Sequence, residues 1–219
     1  MTEKIRITEK DETVSWESIA YLLHLAHSAN RRLGFEMKTA NLSASEVEHK
    51  VKDGKTFVAF DSGGQLVGTA SIVPKVGKGK WYENKFAEAF MVLVAVHPDY
   101  QGNGIVSRLY SFIEKDLAQN THVNIIKSGT AEKNIPQCKA FVKNGYIPVE
   151  TISGKDTDYY SIIYVKYLDG KFPYSKHKCN CRFRISSVLY KLGYKPGHKK
   201  RKNIISMIAI KLLQYVNNG

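Results

Sequence analysis

The stretch MVLVAVHPDYQGNGIVSRL, residues 91–109, decides the fold. Its first six residues are all apolar, which is typical of a strand that is covered on both faces. His97 and Pro98 end that strand, and the loop that follows, residues 101–104, contains two glycines. From Val106 onward, apolar residues recur at helical spacing. The stretch therefore predicts a buried strand that leads through a glycine loop into a helix.

The predicted loop has the properties of a phosphate-binding site. Glycines permit positive φ and close approach of the backbone, and the first N–H groups of a helix attract anions such as a pyrophosphate. The glycine spacing is neither a P-loop nor a dinucleotide-binding fingerprint, because no Lys-Ser/Thr pair follows Gly104 and no third glycine lies in the first helical turn. The loop thus favours an anion site but gives little support to nucleotide hydrolysis or dinucleotide binding.

This stretch resembles motif A of the GNAT superfamily of acyl-CoA N-acyltransferases, which reads Gln/Arg-x-x-Gly-x-Gly/Ala after a strand that ends in Val-x-Pro. The residues that match it are Val96, Pro98, Gln101 and Gly104. Val106 stands where the family has a small residue. A second segment resembles the family pattern that starts with Asn and ends in Aromatic-x-Lys-x-Gly-Phe/Tyr. The residues that fit this second pattern are Asn134, Phe141, Lys143, Gly145 and Tyr146.

The order of the predicted elements is a third point of resemblance and covers about residues 4–168. Periodicity, capping residues and turn signals predict one strand, two helices, three strands, a helix, then βα and two final strands. The predicted ranges are 4–8, 14–33, 43–52, 56–60, 65–73, 91–96, the helix from Val106, 123–127, 136–143, 147–151 and 159–167. We therefore expect a GNAT-like α/β (α+β) fold, with a mixed, mostly antiparallel sheet flanked by helices and a basic helical C-terminal extension.

By this resemblance, acetyl-CoA is the co-substrate and lies in a cleft where the central strand splays from its neighbour. The pantetheine amides would bond to the strand backbone and the pyrophosphate would lie on the glycine loop. The residues expected to bind acetyl-CoA are Val94, Val96, Gln101, Gly102, Asn103, Gly104, Ile105, Val106 and Asn134. The family also places Phe35 and Met37 beside the acceptor, although these residues would serve equally well to close the sheet edge.

Transfer to an amine requires a base, and Glu88 is the candidate. Strand alternation places Glu88 on the same face as Phe90, Val92 and Val94. A carboxylate at a strand end is as often simply solvated, so both roles are open for Glu88.

The departing thiolate requires an acid, and the family often uses a Tyr at the position that Phe141 occupies here. A phenyl ring cannot donate a proton. Cys138, Tyr146 or water would then supply it. For Cys138, one turn earlier on the helix, the alternative is a buried structural cysteine.

Composition limits the class of protein. The 219 residues are 43% hydrophobic and 24% charged, as in an ordinary globular protein. No apolar run approaches the ~18 residues that span a bilayer, and the first residues are charged, so we expect a cytoplasmic protein. Three cysteines do not form a secreted disulfide framework. A metal is not predicted, because Cys179 and Cys181 lack the usual zinc spacing.

The net charge of +13 comes from the C-terminal tail. Residues 170–219 hold 12 of the 33 basic residues and no acidic one, whereas residues 1–169 are nearly neutral. We therefore divide the chain into an acetyltransferase domain, 1–169, and a basic extension, 170–219, with helical patterns at 185–192 and 204–216. The second pattern needs an apolar partner, such as the core or a second subunit in a homodimer. An anionic membrane surface and nucleic acid are the other partners considered.

The resemblance to the GNAT superfamily implies an enzyme that transfers an acetyl group from acetyl-CoA to a primary amine by direct attack in a ternary complex. The acceptor would be a small molecule or a peptide. The alternative is a CoA-binding or nucleic-acid-binding module on the same fold with weak catalysis, since Val106 and Phe141 depart from the family pattern.

Overall fold

A seven-stranded sheet forms the centre of the computed structural model, which describes residues 4–75, 88–153, 159–170, 183–185 and 187–188. The strands are β1 Arg6–Glu9, β2 Lys55–Phe60, β3 Leu66–Lys75, β4 Glu88–Val96, β5 Ile125–Ala131, β6 Ile147–Ser153 and β7 Tyr160–Tyr167. Their order is β1-β2-β3-β4-β5-β7-β6. All neighbours are antiparallel except the parallel pair β4 and β5. The mixed, mostly antiparallel sheet is confirmed.

Within the described part of the domain, four α-helices flank the sheet: α1 Trp16–Ser28, α2 Ala44–Val51, α3 Ile105–Asn120 and α4 Ile135–Lys143. Side chains satisfy the first N–H groups of three of them. Ser15 caps α1, Ser43 forms a capping box with Glu46 at α2, and Asn134 accepts from the Gln137 N–H at 3.3 Å. The capping roles predicted for Ser43 and Asn134 are confirmed.

The helices cover both faces of the sheet. On one face, α1 and α2 pack on β2 and β4 through Ile19, Leu23 and Val47. On the other face, α3 and α4 pack through a larger core that includes Leu109 and Phe141. Because apolar side chains of β4 serve both cores, its continuous apolar run is explained.

A bulge interrupts β4 in its middle. Val92 pairs with Ser71, but the next paired residue, Ala95, lies opposite Thr69. Leu93 has a φ of 53°, the left-handed region that side chains rarely adopt. As a result, Val92 and Leu93 both face α1 and α2. Each residue of β4 after Leu93 therefore points to the other face of the sheet from the one that simple alternation predicts.

Strands β4 and β5 part soon after they begin. They pair only from Glu88 with Ile125 to Met91 with Ser128. The Ser128 hydroxyl donates to the Met91 carbonyl at 2.9 Å at the point of divergence. Beyond it, β4 follows β3 and β5 follows β7 to Ala131. The sheet therefore opens like a wedge towards the C-terminal ends of the two strands.

Several boundaries differ from the predicted ones. The helix predicted over 14–33 is α1 followed by a 3₁₀ turn, Ala29–Leu33, which ends at Gly34 with a φ of 73°. The strand predicted over 123–127 instead spans 125–131, because its polar second half pairs with β7. The loop predicted from Pro74 lies, beyond Lys75, outside the described residues up to position 87.

Part of the basic extension is described and is helical. Residues 183–185 and 187–188 have helical backbone, in line with the first predicted tail helix. The Ser187 and Thr151 hydroxyls lie 2.9 Å apart, so this segment contacts the end of β6. The predicted helix over 204–216 and the tail histidines and cysteines lie outside the described residues.

The connection between α2 and β2 generates a prediction about stability. A Cβ on Gly54 would lie 2.0 Å from the Ile72 carbonyl oxygen, so Gly54→Ala must push the connection away from β3. We expect Gly54→Ala to lower the free energy of unfolding by about 1–3 kcal/mol in urea titrations. Gly63→Ala is the control and should change it by less than about 0.5 kcal/mol, because the nearest atom is 3.4 Å away. Equal stability of the two variants would contradict the close approach.

Candidate active site

A cleft of about 630 Å³ lies at the open end of the wedge between β4 and β5, beside the last residues of β4. It runs from the glycine loop before α3, past the last residues of β4, to the end of α1 and the start of α4. All residues predicted to bind acetyl-CoA line it except Asn103. Those that line it are Val94, Val96, Gln101, Gly102, Gly104, Ile105, Val106 and Asn134. The structure thus brings together residues from three separate stretches of sequence.

The glycine loop has the backbone geometry that its sequence predicts. Gly102 and Gly104 have φ values of 83° and 75°, and Gly104 is the N-cap of α3 without any side chain that could occupy the helix end. The Gln101 amide donates to the Val96 carbonyl at 3.2 Å, which ties the loop to the end of β4. The first amides of α3 are therefore presented at the mouth of the cleft, where an anion would be stabilised.

The charge of the cleft has one sign. Arg32, Lys139 and Lys143 line it, and no carboxylate of the described residues does. Arg32 belongs to the 3₁₀ turn that follows α1, and Lys139 and Lys143 belong to α4. Together with the helix start, they favour a ligand that carries several negative charges.

A second, smaller cavity of about 150 Å³ lies deeper in the wedge. We call it the inner cavity. It is lined by residues 90–94 of β4, residues 128–130 of β5, and Met37 and Thr39 beside α1. Four residues line both the cleft and the inner cavity, namely His27, Val94, Asn134 and Gln137. The two spaces therefore meet at these residues.

The two residues expected near the acceptor differ in position. Met37 lines the inner cavity. Phe35 is buried and packs edge-on against Tyr159, with ring centroids 5.6 Å apart, and lines neither space. Phe35 is therefore a packing residue, whereas Met37 forms part of the wall of the inner cavity.

His27 is a site residue that the sequence reasoning missed. It lies in the last turn of α1, is only 8% exposed, and has the Asn30 amide 3.5 Å from Nδ1. Burial lowers the pKa of His27 to about 4, so its imidazole is neutral near pH 7. The signal was available, because position 27 continues the apolar face of Ile19 and Leu23 at helical spacing.

Glu88 lies in the interior of the protein, at the start of β4. It is fully buried rather than solvated, and it lies 2.5 Å from the Lys127 ammonium, itself buried on β5. It lines neither the cleft nor the inner cavity. The expectation that it shares a face with Val94 is wrong, because the bulge at Leu93 turns the later residues over. Its surroundings are those of a structural ion pair, and the catalytic role stays a prediction.

The two candidate proton donors also lie outside the cavities. The Cys138 thiol points to the Ala131 carbonyl at 3.8 Å, and burial raises its pKa. Tyr146 is 2% exposed within a cluster of aromatic rings, and burial together with the Glu114 carboxylate raises its pKa. Phe141 is stacked in that same cluster. None of the three lines the cleft or the inner cavity, and the catalytic roles of Cys138 and Tyr146 stay predictions.

The comparisons with known proteins agree with this geometry. A model of the family described as "Acetyltransferase (GNAT) family" matches residues 16–146, which is more than half of the chain. The protein belongs to the GNAT acetyltransferase family. The match includes the glycine loop and extends to Tyr146. Comparison with curated proteins yields no match.

Solved structures share the fold at low identity. A protein of Acinetobacter baylyi ADP1 with a provisional acetyltransferase name has a TM-score of 0.57 at 20% identity, covering 80% of this chain and 99% of that one. NAA60 of Arabidopsis thaliana, solved with acetyl-CoA, has a TM-score of 0.58 at 12% identity, covering 76% and 100%. The ribosomal-protein-S18-alanine N-acetyltransferase of Escherichia coli has a TM-score of 0.54 at 15% identity, covering 75% and 94%.

The described residues contain neither a candidate metal site nor a membrane-spanning helix. No group of three or more His, Cys, Asp or Glu side chains there is placed to hold a metal ion. No helix in the described ranges has the length and apolar character needed to cross a membrane.

The ion pair of Glu88 and Lys127 yields a prediction. Lys127→Leu alone removes the cation that lies 2.5 Å from a buried carboxylate and should cost about 3–5 kcal/mol of unfolding free energy. The double variant Glu88→Leu/Lys127→Leu should be more stable than Lys127→Leu, because it removes both charges. Urea titrations of the single and double variants measure the difference. Additive losses would show that the two side chains are not coupled.

The buried imidazole yields a prediction about pH. The pKa of His27 is lowered by folding from about 6.5 to about 4, so the unfolded chain takes up a proton in this range that the folded chain does not. The contribution of His27 to the free energy of unfolding is complete above pH 6.5, and about 3 kcal/mol of it is lost as the pH falls to 4.

Urea titrations at pH 7 and pH 4.5 should therefore show a smaller loss of stability in His27→Gln than in the parent protein. His24→Gln, at an exposed position one turn earlier on α1, is the control. Its unfolding free energy should change between pH 7 and pH 4.5 by as much as that of the parent protein. Parallel slopes for the parent and His27→Gln would contradict the shifted pKa.

Proposed function

We propose that the protein transfers the acetyl group of acetyl-CoA to a primary amine by direct attack within a ternary complex. The observation that carries this proposal is the wedge between β4 and β5, whose cleft connects the glycine loop to the inner cavity. Membership of the acetyltransferase family supplies the class of reaction. The residues that line the cleft account for how acetyl-CoA would fit.

The cleft matches the chemistry of acetyl-CoA along its length. The amides at Gly104 and Ile105 would hold the pyrophosphate, and Arg32, Lys139 and Lys143 would neutralise the remaining phosphate charge. The pantetheine arm would run beside Val94 and Val96, where β4 has left β5. This direction brings the thioester to the junction with the inner cavity. Val106 also lines the cleft. Its side chain is larger than the small residue of the family pattern, so it leaves less room for the ligand at this point.

The acceptor would meet the thioester from the inner cavity. Its amine nitrogen would attack the thioester carbonyl carbon, and the C–S bond would then break. Direct attack is favoured over an acyl-enzyme because Cys138, the free cysteine in the described part of the chain, lines neither space. The acceptor is a small-molecule or peptide amine in this proposal.

A CoA-binding module with weak turnover is the second candidate. Phe141 replaces the Tyr that the family often uses as an acid, and its ring is buried between Tyr110 and Tyr164. Phe141 itself lines neither the cleft nor the inner cavity. Amine-dependent release of CoA thiol separates an enzyme from such a module.

A substitution in the glycine loop tests where acetyl-CoA binds. Gly104→Asp would place a carboxylate beside the amides that hold the pyrophosphate, and we expect acetyl-CoA affinity to fall at least about 100-fold by calorimetry. Gly104→Asn is the matched control, because Asn has the same shape and tolerates the positive φ without adding charge.

We expect Gly104→Asn to lose much less affinity than Gly104→Asp. Both variants are first checked for a native melting transition. A folded Gly104→Asp variant with parent affinity would show that the loop does not hold the pyrophosphate.

A further inference from the structure

The inner cavity contains polar groups that the protein itself leaves unsatisfied. The hydroxyls of Thr39 and Thr130 are buried, line the inner cavity, and have no hydrogen-bond partner among the described residues. Thr130 as a whole is 3% exposed. A buried hydroxyl without a partner costs free energy, so such groups at a cavity wall are typical of a site whose ligand completes them.

His27 is placed where the two spaces meet. Among the described residues that line the inner cavity, it is the one ionisable side chain, and it also lines the cleft. A thioester at the end of the cleft and an amine in the inner cavity would therefore both lie beside the same imidazole. The side chains that sequence analysis put forward for proton transfer, Glu88, Cys138 and Tyr146, line neither space.

We propose that His27 carries the proton of the acetyl-transfer reaction, and that Thr39 and Thr130 hold the acceptor amine in the inner cavity. This inference rests on the proposed function. It assigns a catalytic residue to α1, a helix in which the sequence indicated only core positions. It also explains how the reaction proceeds although Phe141 has no hydroxyl.

The proton balance requires only one shuttle. As the amine nitrogen bonds to the carbonyl carbon, it loses one proton to a ring nitrogen of the neutral imidazole. The C–S bond breaks with its electron pair on sulfur, and the imidazolium returns the proton to the thiolate. The products are the acetylated amine and CoA thiol, and His27 ends neutral. No other acid or base is needed.

The surroundings of His27 support this role. Burial disfavours the charged ring, so the imidazole is neutral before the reaction and holds a gained proton only until the more basic thiolate takes it. Asn30 lies 3.5 Å from Nδ1 and restrains the ring. The two threonine hydroxyls can each accept a hydrogen bond from an amine N–H. The inner cavity thus offers an uncharged polar surface that suits an amine in its deprotonated, reactive form.

The first test compares His27→Gln with the control His24→Gln. Acetyl-CoA affinity is measured by calorimetry, and CoA thiol release is measured with three amines: a tripeptide with a free α-amine, an N-α-blocked lysine, and benzylamine. We expect His27→Gln to keep acetyl-CoA affinity within about twofold and to lower the turnover rate by about 100-fold, the lower end of what general acid–base catalysis supplies. His24→Gln should match the parent protein. Parent turnover in His27→Gln would overturn the proposal.

The threonines are tested by replacing each hydroxyl with a methyl group. Thr39→Val and Thr130→Val should raise KM for the amine several-fold while acetyl-CoA affinity is unchanged. Thr69→Val is the matched control, because Thr69 also has a buried hydroxyl without a hydrogen-bond partner in the described structure but lines neither cavity. Equal KM values for Thr130→Val and Thr69→Val would show that the inner cavity does not hold the amine.

A measurement without any acceptor separates this inference from the function on which it rests. If the parent protein does not bind acetyl-CoA, the proposed function itself fails. If it binds, NMR of the histidine side chains should show that acetyl-CoA shifts the imidazole resonances of His27 and leaves those of His24 in place. Unshifted His27 resonances at saturating acetyl-CoA would overturn the role of His27, even if none of the three amines is a substrate.

Discussion

The separation of β4 from β5 is the constraint on which the rest of the site depends. The two strands share a parallel ladder over four residues of β4, and each then follows a different antiparallel neighbour. A complete ladder would fill the space with backbone hydrogen bonds and leave no room for a ligand. Because the strands diverge, the backbone of β4 borders a cleft at its C-terminal end, directly beside the start of α3. The ligand site is thus a property of the sheet topology and does not depend on any single side chain.

Part of this arrangement could be predicted from sequence because its signals are local. The apolar run before His97, the two glycines of the loop and the capping residues Ser43 and Asn134 each act within a few residues, and the structure agrees with them. The antiparallel hairpin around Gly64 is of the same kind.

The rest depends on contacts between distant segments. Nothing in residues 91–96 shows that Leu93 takes a positive φ, because the bulge is set by pairing with β3. That bulge reverses the face of Val94, and it is the reason why alternation wrongly put Val94 on the face of Glu88. The carboxylate of Glu88 is held by Lys127, a residue 39 positions later that sequence spacing does not connect to it. His27 was missed although its signal is local. It continues an apolar helical face, and residues on such a face are usually assigned to the core.

Aromatic packing accounts for the missing tyrosine at position 141. Phe141 is stacked with Tyr110 and Tyr164 at centroid distances of 5.7 and 4.7 Å, and Tyr146 completes the cluster. These rings join α3 and α4 to β7 behind the cleft, so this part of α4 stabilises the fold. The start of α4, by contrast, lines the cleft through Asn134, Gln137 and Lys139. The start of α4 therefore borders the cleft, and its later part packs in the core.

The central claim is that acetyl-CoA occupies the wedge between β4 and β5. It is tested most directly by a crystal structure of the protein with a thioether analogue of acetyl-CoA, in which the C–S bond cannot break. The account predicts the pyrophosphate on the amides that follow Gly104, the pantetheine arm beside Val94 and Val96, and the acyl end next to His27. An analogue bound elsewhere on the protein, or a cleft that stays empty while the analogue binds, would contradict the account.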